Sequence, residues 1–254
     1  RSSRHRWIRG MCQYGVMPCN GLVYAPPHSC ACHIETKLNS FNVLAPAGGG
    51  NDRTLPDGAR LEKGPAFGKL EAKDTGSAWP TYRGDNTRSG KASTALSPNF
   101  NKGWHRNIGG RLSTITVAGG RCFLASIDEH TVYAIDADNG ENIWEFTAGG
   151  RVDSPPTIHE GMAIFGCYDG RIYCLRAADG ALAWRFNAAV TDRLIVSCGQ
   201  LESVSPVHGS VLVEDGMVYA VAGRNSFLDG GMRIYGLDPK TGAVVAKKDV
   251  TAGA

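Results

Sequence analysis

A pattern of about a dozen residues recurs three times along the chain and limits what the chain can fold into. Residues 132–144 read VYAIDADNGENIW, and forty residues later residues 172–184 read IYCLRAADGALAW. A third copy, IYGLDPKTGAVV, spans residues 234–245. Each copy is a short alternating apolar run, a turn that ends in Gly, and a second apolar run. This pattern predicts two antiparallel strands joined by a tight turn.

The spacing of the copies predicts the architecture. A repeat of about 40 residues made of short strands is typical of a β-propeller blade. Extending each copy outward gives four strands, named A to D, in blade I (residues 113–147), blade II (154–186) and blade III (204–250). The fold class is therefore all-β, a β-propeller of four-stranded antiparallel blades. About four blades are expected, which would be part of a ring.

The N-terminal residues match the same four-strand pattern less closely. We expect residues 1–45 to supply strand D of a preceding blade, at Trp7, and strands A to C of a first blade at 11–17, 20–25 and 38–45. Residues 46–100, rich in Gly, Pro, Asp and Lys, are expected to be an irregular insertion. Residues 101–254 would then give strand D of the first blade, at Trp104, and three further blades.

Composition excludes several classes of protein. No run of 18 apolar residues is present, so no membrane-spanning helix is expected, and a net charge of +3 does not favour nucleic acid as a partner. The chain begins with Arg1 and shows no signal-peptide pattern, so we expect a fragment or processed product. Eight Cys residues are too few for a disulfide-stapled scaffold of this length. A two-residue hairpin at Asp169-Gly170 would place Cys167 diagonal to Cys174 at about 7–8 Å, which favours two unbonded thiols.

The repeat residues resemble the tryptophan-docking motif of quinoprotein-type, PQQ-like propeller repeats. The resemblance is carried by a Trp at the start of strand D and by an Asp and a Gly at the C–D turn. A second similarity lies in residues 79–90, WPTYRGDNTRSG, which resemble a segment found near the start of propellers in that family. Propellers of that family typically have eight blades, so the resemblance implies that about four blades are half of an eight-bladed ring. We expect the following residues to be structural: Trp104, Trp144, Trp184, Asp136, Gly140, Gly180, Asp238 and Gly242.

Strand polarity predicts which face carries function. In an antiparallel A–B–C–D blade the D–A and B–C connections emerge on one face, named here the looped face. The longest connections, at 26–35, 188–203 and 224–231, all fall on it, and elaborated loops on a rigid scaffold are where binding usually occurs. The candidate binding residues are Arg151, Asp153, Arg193, Glu202, Arg224 and Asp229. They could equally be paired surface residues.

One cluster on this face could bind a metal. His28, Cys30, Cys32 and His33 are soft ligands that suit zinc or copper, with Cys12 or Cys19 completing the site. The spacing is not Cys-x-x-Cys, and a disulfide from Cys12 or Cys19 to Cys30 or Cys32, or ordinary loop residues, are the alternatives.

The resemblance implies two functions. The favoured one is a non-catalytic scaffold module of a larger envelope protein, similar to the propellers of outer-membrane assembly machinery, with a protein partner or small ligand on the looped face. It implies a periplasmic or cell-envelope location. The alternative is a fragment of a dehydrogenase that uses PQQ and calcium to oxidise an alcohol or sugar. That family's adjacent Cys pair is missing here, and no calcium ligand set can be carried over. A hydrolase or lyase is a third possibility, for which no nucleophile–base pair is visible.

Overall fold

The structure of the chain is a computed structural model that describes residues 8–10, 15–27, 38, 40–45, 56–70, 79–92, 98–99 and 102–251. The chain divides into two compact units, Arg1–Asp52 and Arg53–Ala254. The described elements are strands, apart from one short 3-10 helix, Asp57–Ala59. The predicted metal ligands His28, Cys30, Cys32 and His33, together with Cys12 and Trp7, lie outside the described residues.

The described part of the N-terminal unit contains one antiparallel sheet of three strands. They are β1 (Met17–Cys19), β2 (Leu22–Ala25) and β3 (Asn42–Leu44), hydrogen-bonded in chain order. The four-strand pattern predicts three successive antiparallel strands, A to C, in this part of the chain. The first of them falls at 17–19, later than the predicted 11–17, because the tight turn at Asn20-Gly21 fixes where the hairpin begins.

Three four-stranded antiparallel blades make up most of the second unit. Blade I contains β5 (Thr116–Ala118), β6 (Arg121–Ser126), β7 (Thr131–Asp136) and β8 (Asn142–Thr147). Blade II contains β9 (Thr157–His159), β10 (Met162–Gly166), β11 (Arg171–Arg176) and β12 (Leu182–Asn187). Blade III contains β15 (Leu212–Glu214), β16 (Met217–Ala222), β17 (Met232–Leu237) and β18 (Val244–Val250). The all-β fold of four-stranded propeller blades is confirmed.

Side chains that alternate along the strands of blade II pack into its interfaces with blade I and with blade III. Phe165 and Tyr173 enter the core shared with blade I, which includes Phe123. Ile164 and Ile172 point to the other side and enter the core shared with blade III. Because side chains alternate with a period of two, one apolar strand supplies two separate cores.

A tryptophan joins each blade to the turn of the next. The Trp144 indole N–H donates to the Ala177 carbonyl at 3.0 Å, and the Trp184 indole donates to the Pro239 carbonyl at 2.9 Å. Each ring lies directly against a turn glycine: a Cβ added at Gly180 would lie 2.7 Å from the Trp144 ring. The turn glycine is therefore required both by its positive φ of 72° and by the close approach of the ring.

Trp104 makes the same contact from a different local structure. Its indole donates to the Ala137 carbonyl at 2.9 Å, and its ring lies against Gly140. The structure assigns no strand to residues 102–111, so the predicted strand D at Trp104 is wrong. The Trp104 ring therefore docks on the C–D turn of blade I although Trp104 does not lie in a strand.

The prediction of an irregular insertion at 46–100 is corrected in its described parts. Strand β4 (Leu61–Lys63) pairs with β12 and makes blade II five-stranded. Such pairing satisfies the free N–H and C=O groups of an edge strand, and a three-residue strand is too short to show periodicity in the sequence. A second ordered part, residues 79–92, is named here the inner segment.

The inner segment crosses the innermost strands of all three blades. Trp79 exchanges two backbone hydrogen bonds with Val117 of β5, at 3.1 and 2.8 Å. The next residue's carbonyl accepts from the Ile158 amide of β9 at 2.7 Å, and the Asn86 side chain donates to the Val213 carbonyl of β15 at 2.8 Å. One irregular segment therefore contacts strand A of each of the three blades.

The B–C hairpin of blade II differs in register from the prediction. Cys174 is opposite Ile164, and the Cys167 amide bonds the Arg171 carbonyl, so the loop is one residue longer than the predicted two-residue turn. The two thiols consequently lie on opposite faces of the sheet, one in each interblade core. Both are free and buried, as the sequence favoured.

The predicted D–A connection at 188–203 contains a hairpin. Strands β13 (Leu194–Ser197) and β14 (Gln200–Ser203) form a separate two-stranded sheet, named here the looped-face hairpin. Cys198 and Gly199, both at positive φ, form its tight turn.

Candidate binding face

The core of the looped face is a buried ion pair. Arg151, from the D–A connection that precedes blade II, donates through Nε to Glu202 Oε1 of β14. Their side chains are 8% and 1% exposed. The hydrogen bond to this carboxylate raises the Arg151 pKa, so the guanidinium stays charged at every working pH. Arg224 adds a second cation, 3.7 Å from Glu202 Oε2.

A tyrosine connects this pair to a second carboxylate. The Arg151 guanidinium lies 4.2 Å from the centre of the Tyr168 ring, a cation–π arrangement. The Tyr168 hydroxyl donates to Asp153 Oδ2 at 3.1 Å, and the Gly209 amide donates to Asp153 Oδ1 at 3.0 Å. Burial, together with the nearby Asp153 charge, raises the Tyr168 pKa to about 12.

Four of the six predicted binding residues are thus brought together, and two are not. Arg193 and Asp229 form a separate pair, 3.6 Å apart, that links the base of the looped-face hairpin to the B–C loop of blade III. Tyr168 is not among the binding residues predicted from the sequence. Its position immediately before Asp169-Gly170, in a B–C hairpin on the looped face, was the signal that could have found it.

The inner side of the looped-face hairpin is fixed to blade I as well. The Gln200 side chain donates to the Asp128 carbonyl at 3.0 Å, and its Oε1 lies 2.6 Å from His130 Nε2. With Glu202 buried beside Gln200 on the same strand, two consecutive inward positions of β14 are anchored to the body of the unit.

The outer side of the same hairpin is apolar and faces solvent. Leu194, Val196 and Leu201 are 59%, 76% and 63% exposed, and the pairing register places all three on one face of the hairpin. Phe227, in the B–C loop of blade III, is 78% exposed. Apolar side chains held outward on an anchored element are characteristic of interaction sites.

A cavity of about 450 Å³ opens where the D–A connections of all three blades meet. Asp153, Ser154 and Pro155 come from the connection before blade II, and Tyr82 comes from the inner segment. Blade I contributes Leu112, Ser113, Thr114 and Ile127, and blade III contributes Gly209 and Ser210. This looped-face cavity shares Asp153 with the polar network, so the network forms part of its wall.

Metal-binding side chains do not cluster in the described residues. Within the described ranges, no three His, Cys, Asp or Glu side chains come close enough together to hold a metal ion. The part of the chain that the structure describes also contains no helix of the length and apolarity that a membrane crossing requires.

The repeats identify the family. A family model described as outer membrane protein assembly factor BamB matches residues 88–253, more than half of the chain. The chain belongs to this family. The matched segment covers blades I to III and the end of the inner segment. The name of the family places its members in the assembly of outer-membrane proteins, in agreement with the predicted cell-envelope location.

Curated BamB proteins match shorter parts of the chain. BamB of Moranella endobia (strain PCIT) is 36% identical over 73 residues, which are 29% of this chain and 19% of that protein. BamB of Burkholderia pseudomallei (strain K96243) is 30% identical over 97 residues, 38% of this chain and 25% of that protein. The chain thus spans about a fifth to a quarter of the length of these BamB relatives.

A solved structure supports the fold. Quinohemoprotein alcohol dehydrogenase from Comamonas testosteroni is similar with a TM-score of 0.53 and 21% sequence identity, over 71% of this chain and 28% of that one. At this identity the similarity concerns the propeller architecture alone. It agrees with the blades seen here in a BamB-family chain.

Proposed function

We propose that this chain is a non-catalytic scaffold module of a cell-envelope protein and that its looped face binds a partner protein. Membership of the BamB family supports a role in outer-membrane protein assembly. The observation that carries the proposal is the looped-face hairpin, which is fixed to the body on one side and exposes three apolar side chains on the other.

The hairpin is built to present a surface. An isolated two-stranded hairpin is marginally stable in water, so anchoring by Glu202 and Gln200 keeps it ordered. Exposing Val196 at 76% has no benefit for folding, since apolar area left in water contributes no hydrophobic stabilisation. Burial of the same area against a partner recovers that free energy on binding.

The ionisable groups of the looped face support a binding role over a catalytic one. Arg151 and Glu202 neutralise each other in a buried pair. Tyr168, with its pKa raised to about 12, holds its proton at neutral pH and cannot act there as a general base. These side chains fix the shape of the face and leave its outer apolar residues for contact.

The test measures binding of purified outer-membrane assembly components to the immobilised chain. Replacing Val196 and Leu201 with Ser should weaken binding by on the order of tenfold or more, because burying a Val or Leu side chain contributes about 1.5–3 kcal/mol. Val245→Ser is the matched control, since Val245 is 60% exposed but lies on the outer edge of blade III. Absence of binding, or equal loss in the control, would contradict the proposal.

The dehydrogenase alternative is tested on the same sample. PQQ and calcium would be added to the chain, and PQQ fluorescence and dye reduction with a primary alcohol would be followed. Saturable, calcium-dependent PQQ binding would favour the alternative over the scaffold.

A further inference from the structure

The looped-face cavity carries a negative charge. Among the described residues that line it, Asp153 is the one with a formal charge at neutral pH, and no Lys, Arg or His joins it. Its two carboxylate oxygens each accept one hydrogen bond, from Tyr168 and Gly209, and each keeps lone-pair capacity for another donor. An anionic ligand would meet an unfavourable like charge here.

The cavity also holds an unused hydrogen-bonding group. Ser154 is 7% exposed, and its Oγ is buried with no hydrogen-bond partner among the described residues. A buried hydroxyl without a partner costs free energy and is uncommon in folded proteins. Ser154 lines the cavity beside Asp153, so both a carboxylate and a hydroxyl without a partner belong to its wall.

The remaining wall is largely apolar. Tyr82, Leu112, Ile127 and Pro155 supply an aromatic ring and aliphatic surface. An aliphatic chain packs on such a surface while its charged end reaches a polar group, as Lys and Arg side chains do at protein surfaces. A volume of about 450 Å³ is within the usual range for small-molecule sites.

We propose that this cavity binds an organic cation, an alkylammonium or guanidinium group on an apolar stem. The cationic head pairs with Asp153 and donates to Ser154 Oγ, and the stem packs on Tyr82 and the aliphatic wall. The cation is a Lys or Arg side chain of the partner protein that docks on the looped face; this assignment of its source rests on the proposed function.

The test is a titration of the ¹⁵N-labelled 254-residue chain with small probes that differ only in charge. Butylammonium should shift the Ser154 and Gly209 amide signals saturably, with a Kd on the order of 1 mM. Butyrate and butanol, with similar stems, should not saturate. Capped lysine, N-acetyl-lysine methylamide, should bind several-fold more tightly than butylammonium if the natural source is a protein side chain; equal affinity would overturn that source.

Variants locate the site. Asp153→Asn should weaken butylammonium binding roughly tenfold, because the charge is lost with little change in shape. Ser154→Ala should weaken it roughly threefold while leaving folding intact, because the hydroxyl makes no bond in the free chain. Asp215→Asn is the control: it makes the same change of charge in an exposed turn on the opposite face, where Asn suits the positive φ.

The results that would overturn the cation site differ from those that would overturn the proposed function. Equal shifts with butyrate or butanol, or equal loss in Asp153→Asn and Asp215→Asn, would overturn the proposal. If Asp153→Asn does not fold, the probe comparison on the native chain and Ser154→Ala still decide it. Failure of assembly components to bind would refute the proposed function, while the cation titration, which needs no partner, would stand or fall separately.

Discussion

The Arg151 guanidinium and the Glu202 carboxylate form an ion pair in which both side chains are withdrawn from water. The two residues are 51 positions apart and belong to different connections of the looped face. The second carboxylate oxygen of Glu202 is buried without a hydrogen bond in the described structure and relies on Arg224 at 3.7 Å. The pair therefore holds the looped-face hairpin to the body of the unit.

Breaking this pair should be costly. Glu202→Gln should lower the free energy of unfolding by about 3–5 kcal/mol, because it leaves a buried cation without its counter-charge. The double variant Arg151→Met with Glu202→Leu should recover most of the loss. Urea-induced unfolding measures both. Asp128→Asn, which breaks the exposed pair with Arg111, should cost less than about 1 kcal/mol, and an equal cost in both would refute the role of burial.

The docking of tryptophans on turn glycines can be tested with two glycines of similar φ. Gly180→Ala places a Cβ 2.7 Å from the Trp144 ring at φ +72°, whereas Gly216→Ala, at φ +71°, meets nothing within 4 Å. The backbone cost of about 1–2 kcal/mol applies to both. The clash should add about 1–3 kcal/mol at Gly180 alone. Thermal and urea unfolding give the difference, and equal destabilisation would show that the ring is not tightly docked.

Individual strands show which parts of the fold sequence patterns can and cannot predict. Strands β6, β7, β16 and β17 lie inside the predicted blades I and III, because their alternation is strong and Gly-containing turns bound them. The looped-face hairpin was missed because Leu194 and Val196 alternate over four residues only and face solvent. Strand β4 was missed because it pairs with β12, which is far away in the sequence, and its three residues show no local pattern.

The site was predictable in the same limited way. Arg151, Asp153, Glu202 and Arg224 were found because strand polarity alone puts their connections on one face. Which of them touch was not predictable, since it depends on Tyr168, whose ring lies between two connections far apart in sequence. The cavity was not foreseen at all, because Tyr82 reaches it from the inner segment, expected to be irregular.

Alkaline pH should destabilise the folded chain. Burial raises the pKa of the Cys167 and Cys174 thiols well above their ordinary value of 9.0, and burial also raises the Tyr173 pKa. Above about pH 9 the unfolded chain loses these protons while the folded chain keeps them, so stability is full below that pH and falls as pH rises. Each thiol should contribute a slope of about −1.4 kcal/mol per pH unit.

Two variants in one core test the origin of that slope. Cys174→Ala should remove about half of the contribution of the Cys167 and Cys174 thiols between pH 9 and 10, measured by urea unfolding at fixed ionic strength. Ile164→Val, which alters the same core but removes no titratable group, should leave the slope unchanged. A slope that responds to Ile164→Val but not to Cys174→Ala would contradict the assignment to buried thiols.

The inner segment should act as a single tie across three blades. Asn86→Ala leaves the Val213 carbonyl of blade III without its donor and should cost about 1 kcal/mol. If the segment is held cooperatively, its loosening at blade III should also speed hydrogen exchange of the Ile158 and Val117 amides, which pair with the same segment in blades II and I. Asn142→Ala, whose side chain makes one weak exposed bond of 3.5 Å, is the control and should leave both amides unchanged. Faster exchange confined to residues beside Val213 would show that the three contacts form independently, and the blades would then be held by their tryptophans and cores alone.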